Sequence, residues 1–443
     1  MSWKKVKLGD FLTVRENRYK PNDPAIDGLK RIHKIDFSGL IFLSDKDSNT
    51  DMILVKKGDL VISGINVEKG AMSVYQGDND IAATIHYSSY QYDPLKIDIG
   101  FLKNFLRSTE FRNAIKEQVP GGIKTEIKPK HFLGLHVDIP DTIKEQKSIV
   151  ASLQTKNSSI KNLDNELIHQ LDLVKKLRKQ LLQEAMQGKL IQQDPKDEPA
   201  AVLLKKIKAE KEQLINEKKL KKEKLLLPIK HEEIPFEIPN GWEWCHLSEL
   251  ITCGPTNGYS PQPSKLNYGV KCLTLSATTT GKFNGNFYKY TDVKIDPKSP
   301  LWLTNGDILI QRGNSLDFVG IAALYDNSPM TYIYPDLMIK IRVSAFTNSE
   351  YIHKCLITPY GRSYFQKNAF GSQKSMPKIK QDVINKMAIP LPPVMEQIRI
   401  VQKIDQLMKY CDELELSVLR SKVQNEKLLR SVLKEVLQGE TAA

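Results

Sequence analysis

Two lysine arrays stand 250 residues apart in one register: Gly121, Lys124, Lys128 and Lys130, then Gly371, Lys374, Lys378 and Lys380. Lysines this close together, on a loop that runs into a helix start, can neutralise successive phosphates, while the glycine lets the backbone approach. Ordinary solvated lysines have no reason to keep their spacing from one copy to the next, so phosphate contact is the chemistry they suggest. A second pair of segments supplies hydrogen-bonding groups. The strand-like runs KKGDLVIS (56–63) and TNGDILIQ (304–311) each place Gly-Asp ahead of an apolar stretch and end in a polar turn. One turn carries Ser63 and Asn66, the other Gln311, Arg312 and Asn314. Arg, Asn and Gln pair bidentately with base edges, and divergence between the copies is what two units reading different bases would show. Lysine arrays and polar turns together form a candidate set for binding double-stranded DNA.

Enzymatic readings find little to rest on. The sequence has no GxxxxGK[ST] phosphate loop, no GxSxG elbow, no HExxH pair, and no glycine-rich turn of an adenosyl-cofactor site. Pro140-Asp141 followed by Glu145-Gln146-Lys147 imitates a magnesium-binding nuclease set. The spacing is too short for two strands, however, and Thr142 with Glu145 reads as a capping box opening a helix. The five cysteines lie between Cys245 and Cys411 without a CxxC pair, which points away from a disulfide framework or structural metal. No catalytic residue, metal ligand or cofactor site is expected in this chain.

The elements that position these residues follow from an internal repeat. Residues 101–140 align with 351–390 at a constant shift of 250, and 145–188 with 396–439 at 251, the latter with 11 identities in 44 positions. Each unit reads as a strand-rich globular part followed by a long helix. The predicted division is 1–143 and 232–393 for the globular domains, 144–231 for a central helical spacer with helices near 144–187 and 200–227, and 394–443 for a terminal spacer. An apolar series at Ile149, Leu153, Leu163, Leu167 and Leu177, matched by Ile400, Ile404, Leu407 and Leu414 with the polar Asn425, predicts a narrow coiled-coil seam. A helix of about 43 residues spans roughly 65 Å, enough to act as a ruler between two recognition units. The fold class is therefore α+β, with two pseudo-repeated strand-rich domains separated by long antiparallel coiled-coil helices. At 443 residues the chain is long enough for more than one core. Of the net charge of +13, the segment 144–231 holds the largest share, with 20 basic and 12 acidic residues, and its lysine run from Lys205 to Lys224 reads as a solvated helix face. No apolar run reaches membrane-spanning length and the first residues lack a signal-peptide core, so the expected location is the cytoplasm.

These features resemble the specificity subunit of type I restriction-modification systems. The resemblance rests on EIPNGWEWCHLSEL (237–250), AVLLKKIKAEKEQLI (201–215) and IPLPPVMEQIRIV (389–401), and on the repeated order of Ile-Pro ahead of Glu-Gln-x-x-Ile-Val. The first copy departs from the pattern, with IPDTIKEQKSIV where Leu-Pro-Pro is usual. The resemblance implies two target recognition domains that bind a bipartite site, two docked modification (methyltransferase) subunits and, through the complex, translocating restriction subunits. Adenosylmethionine, ATP and magnesium would then belong to the partners. A self-contained nuclease or methyltransferase with a fused recognition domain, as in type IIG-like proteins, is the alternative, and it would need cofactor motifs and several hundred residues that this chain lacks.

Overall fold

The computed structural model describes residues 2–46, 48–118, 127–220, 226–371 and 376–438. The chain divides into two compact units, one of residues 1–169 with 418–443 and the other of residues 170–417. Each unit thus combines a strand-rich part with portions of both long helices, Ile143–Met186 and Val394–Gln438.

In the first unit, Trp3–Lys7 pairs antiparallel with His136–Pro140, so that the opening strand is tied to the strand leading into the long helix. A four-stranded sheet follows the order Leu12–Val14, Tyr87–Tyr92, Leu60–Ser63, Met72–Val74. A five-stranded sheet runs Arg18–Tyr19, Met52–Val55, Ile81–Thr84, Arg31–Ile35, Ile41–Ser44. The second unit repeats the first two features: Glu243–His246 pairs with Ala388–Leu391, and a four-stranded sheet runs Ile251–Asn257, Met338–Val343, Ile308–Gln311, Ala322–Leu324. Its third sheet has only three strands, Tyr288–Thr291, Val270–Leu273 and Tyr332–Ile333. The two copies share a frame and differ in the sheet added to it.

The Gly-Asp pair of each copy builds the frame. Gly58 and Gly306 both adopt left-handed backbone, at φ 91° and 88°, a conformation that costs a residue with a Cβ and that turns the chain into the central strand. The following aspartate is buried. Asp59 accepts from the Lys56 amide at 2.9 Å, from both Arg15 guanidinium donors at 2.6 and 2.9 Å, and from the Ser89 hydroxyl at 2.8 Å. Asp307 accepts from the Thr304 amide at 2.9 Å and from Arg342 at 2.7 and 3.1 Å, with the Lys340 ammonium 3.7 Å away. Burial pushes the Lys340 pKa down, and Asp307 opposes that shift.

A repeated glutamine explains the Glu-Gln of the motif. Gln146 Oε1 accepts from the Asp98 amide at 2.7 Å and its Nε2 donates to the Pro140 carbonyl at 3.2 Å. Gln397 does the same with the Asn348 amide at 3.0 Å and the Pro392 carbonyl at 2.9 Å. Asp98 and Asn348 cap the helices Ile99–Phe105 and Ser349–Ile357. Each glutamine therefore joins the start of a long helix to the cap of a domain helix. Glu145 forms the expected capping box with Thr142, and its counterpart Glu396 instead accepts from Trp242 Nε1 at 3.0 Å. Burial raises the Glu396 pKa.

The apolar series predicted as one seam has several destinations. Ile149 and Leu153 enter the core around Phe101 and Phe105, while Ile400 and Ile404 enter the core of the second unit with Leu182, Ala185 and Met186. Leu167 is buried and Leu407 half-buried, but Leu163, Leu177 and Leu414 are exposed. The reason is registry: the inward positions are 153, 160, 167 and 174 with 164, 171 and 178, so the alternate apolar spacing points Leu163 and Leu177 one residue away from the partner helix. Buried Ile160, Leu167 and Val174 fill the inward face, and polar side chains join them there. Arg178 pairs with Asp412 at 2.6 Å and Glu415 at 2.9 Å, and buried Asn425 donates to the Ile160 carbonyl at 3.1 Å. The second spacer helix is also shorter than predicted. It spans Ala200–Asn216, because Lys218 takes left-handed backbone at φ 59° and the amides of Lys219 and Leu220 close back on the Leu214 carbonyl. Among the described residues no helix is long and apolar enough to cross a membrane.

Candidate nucleic-acid interface

In the second unit the polar turn and the lysine segment meet. Gly313 and Phe370 each form an antiparallel bridge with Lys378. The Ile379 amide donates to the Arg312 carbonyl at 2.8 Å, and the Asn314 amide to the Pro377 carbonyl at 3.4 Å. A Cβ on Gly313 would lie 3.2 Å from Lys378 Cγ, so the absent side chain is what makes room for the lysine stem. Residues more than 60 positions apart in sequence are thereby held in one surface patch.

The candidate side chains in that patch are not equivalent. Gln311 is fully buried, and its Nε2 donates to the Leu275 carbonyl at 3.0 Å and to the hydroxyls of Thr278 and Thr279 at 3.0 and 3.3 Å. Its Oε1 accepts from Asn314 Nδ2 at 2.7 Å. Gln311 therefore braces the turn from inside, with both ends of its amide spent on protein groups. Asn314 is half-exposed, with its Oδ1 accepting from the Ser315 amide at 2.8 Å. Arg312 is half-exposed, and among the described residues its guanidinium has no hydrogen bond or ion pair. Lys378 is half-exposed and Lys380 exposed, at the head of the helix Gln381–Asn385.

The first unit makes a comparable junction. The Ile127 amide donates to the Gly64 carbonyl at 2.9 Å, which places Lys128 and Lys130 beside the turn of Ser63 and Asn66. Both lysines are exposed, at the head of the helix Pro129–Leu133. Ser63 is buried in register with Tyr87, whereas Asn66 is half-exposed. Lys124 and Lys374, with Gly121, lie outside the described residues. A cleft of about 410 Å³ opens next to this junction, lined among others by Arg15, Glu16, Asn17, Arg18, Tyr87 and Pro129. Asn17 and Arg18 had no signal in the sequence reading, because only strand pairing across more than 100 residues brings them near Pro129.

Residues 239–423 match the family described as type I restriction modification DNA specificity domain. The chain is 33% identical over 261 residues to the EcoEI specificity subunit of Escherichia coli, covering 58% of this chain and 44% of that one. It is 31% identical over 287 residues to the Escherichia coli EcoAI specificity subunit, covering 64% and 47%, and 26% identical over 346 residues to the EcoKI specificity subunit of Escherichia coli K12, covering 78% and 66%. The chain is thus similar to type I restriction enzyme specificity subunits, and its residues 239–423 carry the family's specificity domain. It spans about half the length of the first two of these relatives in the matched regions. The fold agrees over its whole length with a crystal structure of the HsdS subunit from Thermoanaerobacter tengcongensis, at a TM-score of 0.55 and 15% identity, covering 99% of this chain and 97% of that one. The family match takes in the second polar turn, its lysine segment and Gln397, the glutamine that ties the long helix to the domain.

Proposed function

We propose that this chain is the DNA-recognition subunit of a type I restriction-modification complex, binding a bipartite double-stranded target in the cytoplasm. The observation that carries this reading is the repeated junction of a polar turn with a lysine segment, joined by backbone hydrogen bonds in each unit. In the first unit Asn66, Lys128 and Lys130 are the exposed or half-exposed members, with Lys124 adjoining in sequence and Ser63 beneath them. In the second, Arg312, Asn314, Lys378 and Lys380 face outward over Gln311, with Lys374 adjoining. Lysines anchor phosphates and fix register, while Arg312, Asn314 and Asn66 offer the donors and acceptors that distinguish bases.

On this reading the chain itself is non-catalytic. Two methyltransferase subunits bind it, restriction subunits join through the complex, and adenosylmethionine, ATP and magnesium are held by those partners. The helices offer surface for such partners: in the first unit Leu163, Ile168, Leu419 and Val423 are exposed, and in the second Leu173, Leu177, Leu414 and Leu416. Methylation sequencing of a genome carrying the full operon, with and without this gene, tests the proposal. Loss of one bipartite adenine-methylated motif supports it. Magnesium-dependent cleavage by the purified chain alone, abolished by Asp141→Ala, would instead favour the self-contained nuclease.

A further inference from the structure

The second unit's patch contains an aromatic ring that lysine chemistry does not explain. Phe370 is 45% exposed, yet its backbone is fixed on both sides: its amide donates to the Lys378 carbonyl at 2.9 Å and its carbonyl accepts from the Lys378 amide at 2.8 Å. Directly paired residues project to the same face, and so do alternate residues along a strand. Phe370 and Lys378 therefore share one face, Met376 and Lys380 flank Lys378 at alternate positions, and the Lys380 ammonium sits 4.7 Å from the Phe370 ring centroid. Met376 is itself exposed. The ring is exposed beside the Lys380 ammonium, on a segment joined through Lys378 to the turn of Arg312 and Asn314.

An ordered apolar group in the middle of a phosphate-binding patch has two costs in water and one use. It leaves apolar area solvated, and it displaces a position where another cation or amide would add affinity. Pressed against DNA, the same ring stacks on a base or wedges between two, and the cations around it hold the flanking phosphates. The mixed character fits nucleic acid, where apolar base faces lie within a few ångströms of charged oxygens.

Resting on the reading of the chain as a DNA-recognition subunit, we propose that Phe370 is a base-contacting residue of the second unit, stacking on or wedging beside a base of its half-site while Lys378 and Lys380 hold the adjacent phosphates. It extends the recognition set beyond the polar turn, to a residue that acts through shape and stacking instead of hydrogen bonds.

The test uses the assembled complex with its modification subunits and a duplex bearing the methylated target, with 2-aminopurine placed in turn at each position of the second half-site. Phe370→Ala should weaken binding roughly tenfold while leaving the slope of log affinity against log salt unchanged, because an apolar contact releases no counterions. Lys378→Ala and Lys380→Ala should each flatten that slope by up to about 0.9. The wild-type complex should raise 2-aminopurine fluorescence at one position, and Phe370→Ala should abolish the rise. If Phe370→Ala lowers the melting temperature of the subunit, Phe370→Leu keeps the apolar bulk but should still lose most of the fluorescence signal. Unchanged affinity and fluorescence in both variants overturns the proposal, as does loss of complex assembly, which would make Phe370 a subunit contact. A wild-type complex that binds no duplex refutes the DNA-recognition reading itself, a separate result.

Discussion

Replacing Asp307 by Asn keeps the shape of the side chain and removes one charge from a site that holds two cations. Lys340 and Asp307 are each almost fully buried, and Arg342 is 38% exposed at the side chain. The Lys340 ammonium retains the Pro300 and Trp302 carbonyls, but these dipoles replace a full negative charge. Removing one member of a buried ion pair costs about 3–5 kcal/mol, so the second unit should lose that much stability at pH 7. The equivalent Asp59→Asn leaves only Arg15, whose side chain is 20% exposed and can turn to water, beside a serine hydroxyl. Its cost should be nearer the loss of charged hydrogen bonds, about 1.5–3 kcal/mol.

The pH dependence has a fixed sign. Burial already pushes the Lys340 pKa below its usual 10.5. In the window between the folded value and 10.5 the unfolded chain binds more protons than the folded one, so stability rises with pH there. Asp307→Asn removes the group that opposes the shift, which deepens and widens this window. The gap between variant and wild type should therefore narrow from pH 7 towards pH 10.5. Urea unfolding followed by tryptophan fluorescence suits the comparison, since Trp242, Trp244 and Trp302 lie in the second unit and Trp302 adjoins Lys340. A cost below about 1 kcal/mol for Asp307→Asn, or a gap that widens with pH, would refute the reasoning.

Gln146→Ala and Gln397→Ala should each cost about 1–3 kcal/mol by stranding a backbone amide and a proline carbonyl, and hydrogen exchange at Asp98 or Asn348 should accelerate in the affected unit alone. His353 is buried, with Nε2 3.0 and 3.1 Å from the Gly281 and Ala322 carbonyls, and burial lowers its pKa to about 4. Since the unfolded imidazole takes a proton first, stability of the second unit should fall as pH drops from 6.5 towards 4, and His353→Gln should flatten that fall in acid-denaturation curves. Replacing Lys128 and Lys130 together by alanine should weaken binding of all duplexes and reduce the salt slope by up to about 1.8 for two lost contacts. A slope equal to that of wild type would return both lysines to ordinary solvation.

The repeat, the two long helices and the recurrence of one polar turn and one lysine array in each copy were legible in the sequence, because they rest on local spacing and on two copies of one chain; that turn and array meet was decided by the fold. The Gly-Asp turn could be seen as a strand boundary for the same reason. What its aspartate does could not: Arg15 reaches it from just past the strand Leu12–Val14 and Arg342 from the strand Met338–Val343, and no spacing rule links residues separated by 44 and 35 positions. The helix seam shows the same limit. Heptad spacing identifies residues able to line a contact, but the globular cores claim Ile149, Leu153, Ile400 and Ile404, and the one-residue change of register leaves Leu163, Leu177 and Leu414 facing solvent. Residue type marked Gln311 as a base reader, while tertiary packing spent its amide on the Leu275 carbonyl and two threonines. Sequence alone determined which polar groups were present and how often they recur; the fold decided which of them remain turned outward, because a hydrogen-bonding group satisfied inside the protein has little left to offer a ligand.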